Sequence, residues 1–117
     1  ASAAATLAAL RKLNAEPQRA AEVCERAQQF RALARSHSWD IGPGEHSAIV
    51  PLLIGDSGRA LRLSSRLREL GVNVQPIVYP AVPRNQGRLR FFFCRDHTAH
   101  DIELTVNLLA DVFAEQL

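Results

Sequence analysis

The chain has no methionine, one lysine and two cysteines among its 117 residues. Cys24 lies on the apolar side of a predicted helix and Cys94 ends a predicted strand, so their spacing fits neither a metal site nor a redox pair. We therefore expect two reduced, buried thiols, as is usual in cytoplasmic proteins. The absence of methionine even at position 1 agrees with a sequence that begins within a longer protein.

Long apolar runs and blocks of like charge are also missing. No stretch reaches the length of a membrane-spanning helix, so a membrane is not expected as a partner. The net charge is only +2, and the arginines are interspersed with acidic residues, which argues against nucleic acid as a partner. With 47% apolar and 22% charged residues, the chain has the composition of a single globular domain.

The first half of the chain has helical periodicity. Leucines at 7, 10 and 13 predict one helix, and Pro17 suits the first turn of a second helix. Residues 36–44 contain turn formers and predict a loop. The second helix should pack on a sheet through an apolar stripe that consists of Ala20, Val23, Cys24, Ala27, Phe30 and Ala34.

The second half alternates strands with helices. Residues 48–54 predict a strand, in which Pro51 indicates a sheet edge or a bulge. Asp56 caps the next helix and Gly71 ends it, while residues 72–77 are extended. Residues 88–94 form the second strong strand, and Thr98 with Asp101 resembles a capping box at the start of the last helix. The predicted buried stripes are Ala60, Leu63, Ser64, Leu67 and Leu70 in the first of these helices, and Ile102, Val106, Leu109 and Phe113 in the last.

This order of elements predicts an α+β fold, in which helices cover one face of a small, mainly antiparallel sheet. Alternation along residues 88–94 puts Leu89, Phe91 and Phe93 on one face. The other face carries Arg88 and Arg90 with Phe92. A guanidinium group in such a strand calls for a planar anion, and a carboxylate fits it with two parallel hydrogen bonds.

Five short motifs in this order resemble the C-terminal end of the α-oxoamine synthases, which are pyridoxal-phosphate enzymes that condense an amino acid with an acyl thioester. The resemblance implies the C-terminal small domain of the aspartate-aminotransferase-type fold over residues 1–117, with leading helices in 1–36 and the sheet and its helices in 47–117. The large cofactor domain would precede residue 1. The motifs are Gly55-Asp56, Gly71-Val72, Pro80-Ala81-Val82-Pro83, Arg88-Leu89-Arg90 and His97-Thr98.

For the parent enzyme, the resemblance implies a decarboxylative condensation with an acyl-CoA or acyl-carrier-protein substrate, with pyridoxal phosphate as cofactor, and a homodimer. The cofactor lysine is not expected in this chain. Lys12, the only lysine, lies between Arg11 and Leu13 in an alanine-rich helix, where nothing would desolvate it. We therefore expect the isolated chain to be a substrate-recognition domain without catalytic activity of its own.

By resemblance, Arg90 binds the carboxylate of the amino-acid substrate. From the residues alone, Arg90 could instead pair with an internal carboxylate, and Asp56, Asp96 and Asp101 are the candidates. Arg88 is expected to be a structural or rim residue.

His97 precedes a helix cap, where histidine commonly hydrogen-bonds the backbone, so we expect a structural role rather than acid–base chemistry. His37, His46 and His100 should be exposed, and their spacing does not fit a metal site. Tyr79 and the following proline loop either line an acyl channel or form a rigid surface turn.

Two rival functions are also compatible with the sequence. An aminotransferase with the same fold would use an equivalent arginine. A non-catalytic α+β binding or oligomerisation module would keep the fold without the chemistry.

Overall fold

The computed structural model describes all 117 residues. None of its helices combines the length and the apolar character needed to cross a lipid bilayer. Its elements, in chain order, are α1 (Ser2–Ala15), α2 (Gln18–Ser36), β1 (Ile49–Gly55), α3 (Ser57–Glu69), β2 (Gln75–Ile77), β3 (Gly87–Phe92) and α4 (Ala99–Ala114).

The three strands form one antiparallel sheet in the order β1-β3-β2. Helices α2, α3 and α4 pack on one face of this sheet, which we call the inner face. Period-two alternation sends Val50 and Leu52 of β1 and Leu89 and Phe91 of β3 into that face, where all four are buried. The predicted α+β fold and its one-sided helical cover are confirmed.

Helix α2 packs through Ala27, Phe30 and Ala34, as its stripe predicts, but it also buries Arg31, which is only 2% exposed. The Nη2 group of Arg31 donates hydrogen bonds to the carbonyls of Ser47 at 2.8 Å and Ile49 at 3.3 Å. Its Nη1 group is buried without a partner. Desolvation lowers the pKa of this guanidinium. The sequence analysis singled out the arginines of the strand at 88–94, which are only partly buried, whereas the fully buried arginine lies on α2.

Strand β1 lies at the edge of the sheet, and its free edge is blocked in three ways. Arg31 occupies the carbonyl of Ile49, Pro51 has no N–H to offer, and the N–H of Leu53 donates to the Asp40 carbonyl at 2.8 Å. The pairing with β3 also shifts between Leu53 and Gly55. Of the two alternatives that Pro51 indicated, the sheet edge is confirmed, whereas the irregularity lies beyond Pro51, which pairs in register with Arg90.

The predicted helix ends are confirmed. The Asp56 carboxylate accepts the N–H of Arg59 at 2.8 Å at the start of α3, and Gly71 follows that helix with a φ of +92°. Helix α4 begins with a capping box, in which Thr98 and Asp101 exchange side-chain and backbone hydrogen bonds of 2.9 and 3.1 Å.

Several sequence predictions about burial and boundaries are wrong in detail. Leu70 is 37% exposed because α3 has already ended at Glu69. Val112 rather than Phe113 completes the buried stripe of α4. Strand β3 ends at Phe92, two residues earlier than predicted, which leaves Cys94 exposed. Cys24 is partly buried, and both thiols are free, so the expectation of two buried cysteines fails at Cys94.

Helix α1 is the exception to this packing because none of its residues is buried. Leu7, Leu10 and Leu13 are between 46% and 54% exposed. An isolated helix of this length is marginally stable in water, so α1 depends on its connection to α2 or on contacts outside this chain.

Candidate functional site

The face of the sheet opposite the helices, which we call the outer face, carries the alternate residues of the same strands. Antiparallel pairing puts Arg90 between Pro51 of β1 and Gln75 of β2, and it puts Arg88 between Leu53 and Ile77. The third row pairs Phe92 with Ile49. The sequence prediction that Arg88, Arg90 and Phe92 share a face is confirmed. No other element of the chain covers this face.

Arg90 is partly buried, yet its guanidinium forms no hydrogen bond and no salt bridge. None of the internal carboxylates proposed as its partners pairs with it. Asp56 caps α3 and lies 3.8 Å from Arg62, and Asp101 belongs to the capping box of α4. Asp96 makes no ion pair with any residue. The internal ion pair is therefore contradicted, and the guanidinium fork of Arg90 is free to accept an anion.

Arg88 differs from its neighbour because it is tied to the loop before β3. Its Nε donates to the Gln86 carbonyl at 3.1 Å, and its Nη2 contacts the Gln86 side-chain oxygen at 3.5 Å. These contacts fit the structural or rim role expected from the sequence. Of the two arginines on the outer face, only Arg90 offers a free guanidinium.

His97 holds the turn between β3 and α4. Its Nδ1 accepts the N–H of Cys94 at 3.1 Å, and its carbonyl accepts the Nε of Arg26 at 2.7 Å. The expected backbone hydrogen bonding is thus present. His37, His46 and His100 are exposed, as predicted, and no three side chains of the metal-binding types cluster.

The proline loop after β2 forms a surface turn in this chain. Tyr79 is 48% exposed, and the guanidinium of Arg84 lies 4.1 Å above its ring centre. The backbone N–H of Tyr79 lies 3.4 Å from the Ser57 hydroxyl, which accepts it. These contacts explain the loop without a ligand and favour the surface-turn alternative.

A groove of about 380 Å³, not foreseen from the sequence, opens at the end of β3. Its volume is within the usual range for small-molecule sites. His97 and Asp101 supply polar groups at its wall. We call it the Phe92 groove, and its apolar lining includes Leu70, Val72, Phe92, Phe93, Leu104 and Leu108.

The chain lacks the residues that pyridoxal phosphate requires. A cofactor lysine must be desolvated to form its Schiff base, but Lys12 is exposed on α1, whose residues are all outside the core. The side chains present therefore do not fit a cofactor site within this chain.

Comparison with protein families matches residues 1–108 to aminotransferase class I and II. Over 113 residues, the chain is 38% identical to the 8-amino-7-oxononanoate synthase of Pseudomonas entomophila. It is 41% identical over 115 residues to the enzyme of the same name from Methylobacterium sp. strain 4-46. Each alignment includes 97% of this chain but only 29% and 28% of the respective relatives, so the chain spans less than a third of their length.

Solved structures show the same fold. A serine palmitoyltransferase of Sphingomonas wittichii superimposes on 87% of this chain with a TM-score of 0.80 at 23% identity, over 26% of its own length. The 8-amino-7-oxononanoate synthase of Francisella tularensis superimposes on 95% of this chain with a TM-score of 0.78 at 21% identity, over 32% of its own length. A further match is a solved structure of serine palmitoyltransferase (SPT) with pyridoxal phosphate (PLP), with a TM-score of 0.72.

Proposed function

Because the chain belongs to the aminotransferase class I and II family and, within it, to the pyridoxal-phosphate-dependent α-oxoamine synthases, we propose that it recognises the amino-acid substrate of such an enzyme. The parent enzyme would condense the amino acid with an acyl-CoA or acyl-carrier thioester and release carbon dioxide. This chain would form its C-terminal small domain, with the cofactor bound by the rest of the protein and two copies in the active enzyme.

The observation that carries this proposal is the free guanidinium of Arg90. It lies in the central strand of the sheet, between two neighbouring strands that fix its backbone, and no acidic side chain neutralises it. A rigid strand is a better support for a binding group than a loop, because the side chain starts from a fixed position.

A carboxylate is the anion that this geometry suits. The planar carboxylate can accept two parallel hydrogen bonds from one guanidinium, which fixes its orientation as well as its position. Holding the α-carboxylate also fixes the directions of the other bonds at Cα, and this orientation selects the bond that breaks. Arg90 would thus contribute both binding and alignment.

The test is substitution of Arg90 in the enzyme that contains this chain. We expect Arg90→Ala to weaken amino-acid binding about 10- to 100-fold, since a hydrogen-bonded charge pair contributes about 1.5–3 kcal/mol. The absorbance of the bound cofactor should not change. Arg90→Lys should recover little, because an ammonium group cannot make the two-pronged contact.

Arg88→Ala is the matched control, because it removes a cation from the same face and the same strand. It should change amino-acid affinity less than about threefold, as Arg88 is already engaged by Gln86. An unchanged amino-acid affinity in Arg90→Ala would overturn the proposal, and so would equal losses in both variants.

An aminotransferase remains a second candidate, and the description of the matching family model favours it. Such an enzyme would also hold a substrate carboxylate at Arg90. The two candidates differ in the second substrate, which is an acyl thioester for the acyltransferase and a 2-oxo acid for the aminotransferase. Release of free thiol from an acyl thioester, measured with the amino acid present and absent, distinguishes them.

A further inference from the structure

The two residues that lie opposite Arg90 in the sheet differ in the hydrogen bonds that they can offer. Arg90 pairs with Gln75 on β2 and with Pro51 on β1. Directly opposed residues of an antiparallel pair point to the same side of the sheet, with Cβ atoms about 4.5–5.5 Å apart. The side chain of proline has no polar group, so Gln75 is the cross-strand neighbour that can share an anion with Arg90.

The position of Gln75 is fixed by contacts within this chain. Its strand, β2, has three residues and pairs only with β3. The hydroxyl of Ser64, a residue of α3 that is 3% exposed, donates a hydrogen bond to the carbonyl of Val74 at 2.7 Å. The side chain of Val74 belongs to the hydrophobic core. The residue directly before Gln75 is therefore held through both its backbone and its side chain, and this contact keeps Gln75 in register with Arg90.

The side chain of Gln75 complements Arg90 without neutralising it. Its carboxamide is uncharged and carries both donors and an acceptor. The amide nitrogen of Gln75 is as many bonds from Cβ as the Nε of Arg90 is, so the two groups can reach the same height above the sheet. A carboxylate has about four lone-pair sites, and a guanidinium fork uses only part of them. One of its oxygens can therefore still accept an N–H from Gln75.

We propose that Gln75 is a second residue that binds the substrate carboxylate, with its amide N–H donating to an oxygen of the group that Arg90 holds. The inference rests on the proposed function, because it takes Arg90 as the carboxylate-binding residue. It adds that the carboxylate site spans two strands, and that a neutral amide at position 75 keeps the guanidinium available to an anion. Donors on separate strands fix the plane of the carboxylate as well as its position.

The first test is Gln75→Glu in the enzyme that contains this chain, because this change adds a charge and hardly alters the size of the side chain. It puts a carboxylate opposite Arg90, where it competes with the substrate for the guanidinium. The probes are glycine, L-alanine and L-serine, and the one that binds most tightly is used. We expect its dissociation constant, followed through the absorbance of the bound cofactor, to rise about 100-fold. The thermal midpoint should stay the same or rise, since opposite charges across a strand pair stabilise a sheet.

Gln86→Glu is the matched control, because it makes the same change beside the other arginine of β3. The side-chain oxygen of Gln86 lies 3.5 Å from Nη2 of Arg88, and its carbonyl accepts the Nε of Arg88 at 3.1 Å. The two variants have the same net charge, so the control measures the general effect of an added negative charge near the site. The dissociation constant of the amino acid should change less than about threefold.

A second test uses Gln75→Leu, which removes the amide and adds no charge. Its effect should depend on Arg90, because the amide can bind the carboxylate only where Arg90 holds it. We expect Gln75→Leu to raise the dissociation constant about 10-fold when Arg90 is present, and less than about threefold in the Arg90→Ala background.

Equal effects of Gln75→Glu and Gln86→Glu would overturn the inference, and so would additive effects of Gln75→Leu and Arg90→Ala. If Arg90→Ala weakens amino-acid binding while Gln75→Leu leaves it unchanged, this inference fails and the proposed function stands. If Arg90→Ala has no effect on amino-acid binding, the proposed function fails and the inference fails with it.

Discussion

The two faces of the sheet come from the same three strands but differ in burial and in charge. On the inner face, Val50, Leu52 and Leu89 are at most 1% exposed and contact helices of this chain. On the outer face, Phe92 and Ile49 are about half exposed, and the guanidinium of Arg90 has no partner. Successive residues of β3 therefore alternate between these two faces.

The inner face therefore supplies the buried contacts that stabilise the fold, whereas the outer face makes no such contacts within this chain. Burying apolar side chains on the inner face stabilises the chain without any outside contact. The outer face retains a free cation and two exposed apolar side chains, which cost little in stability only because water reaches them. Substitutions on the two faces should therefore have separable effects on stability and on activity.

The largest effect is expected from Leu89→Ala, which removes a fully buried side chain of β3. It should lower the free energy of unfolding by about 2–5 kcal/mol, because it leaves a cavity among α2, α3 and β1. Phe92→Ala, three residues along the same strand, should change it by about 0.5 kcal/mol or less. Urea unfolding followed by circular dichroism measures both. Similar losses in the two variants would contradict the division between the faces.

A smaller effect is expected at Arg31, which connects α2 to the start of β1. Arg31→Met keeps the length of the side chain but leaves the carbonyls of Ser47 and Ile49 without their donor. We expect a loss of about 1–3 kcal/mol in unfolding free energy and faster hydrogen exchange in β1.

Arg35→Met is the control for Arg31→Met, because Arg35 lies one turn further along α2 and makes only a 3.6 Å surface contact with Glu45. It should have little effect on either measurement. A gain in stability for Arg31→Met would mean that the unpartnered Nη1 costs more than the two hydrogen bonds contribute.

The smallest effect concerns the capping box that starts α4, one of the helices over the inner face. The hydrogen bonds from Thr98 lower the pKa of Asp101, so its carboxylate stabilises the fold above the ordinary pKa of aspartate, near pH 4. That contribution is lost as the pH falls through the lowered pKa. Asp101→Asn should therefore flatten the fall in stability below about pH 4.

Urea midpoints measured between about pH 2.5 and pH 6 test the role of Asp101. Asp111→Asn, at an exposed position of the same helix without a hydrogen bond or ion pair, is the matched control. If both variants flatten the pH dependence equally, the capping box is not its source. The urea midpoint of either variant should still depend on pH to some extent, because Arg66 also lowers the pKa of Glu115.

Most of the fold could be predicted because its signals are local. The helix start at Asp56, the helix end at Gly71 and the capping box at Thr98 each involve residues within a few positions of one another. Alternation along β3 is also a local signal, and it correctly predicted the face of the sheet on which Arg90 lies. Pro51 indicated the sheet edge because the missing N–H is a property of the residue itself.

The errors occurred where burial depends on distant segments. The apolar stripe of α2 omitted Arg31, since a charged residue is rarely buried, and its partners lie 16 and 18 residues further along the chain. The Phe92 groove was missed because three separate segments build it, namely the connection between α3 and β2, the end of β3 and α4. No sequence pattern over a few residues predicts that these separate segments lie together.

Some features of the candidate site could likewise be predicted from the sequence, and others could not. By itself, the sequence determined the α+β class, the face on which Arg90 lies and the family resemblance, because side-chain periodicity and short motifs are written along the chain. Only the tertiary structure decided that Asp56, Asp96 and Asp101 leave Arg90 unpaired and that a groove lies at the end of β3. Both features depend on contacts between segments that are far apart in the sequence, and long-range packing determines those contacts.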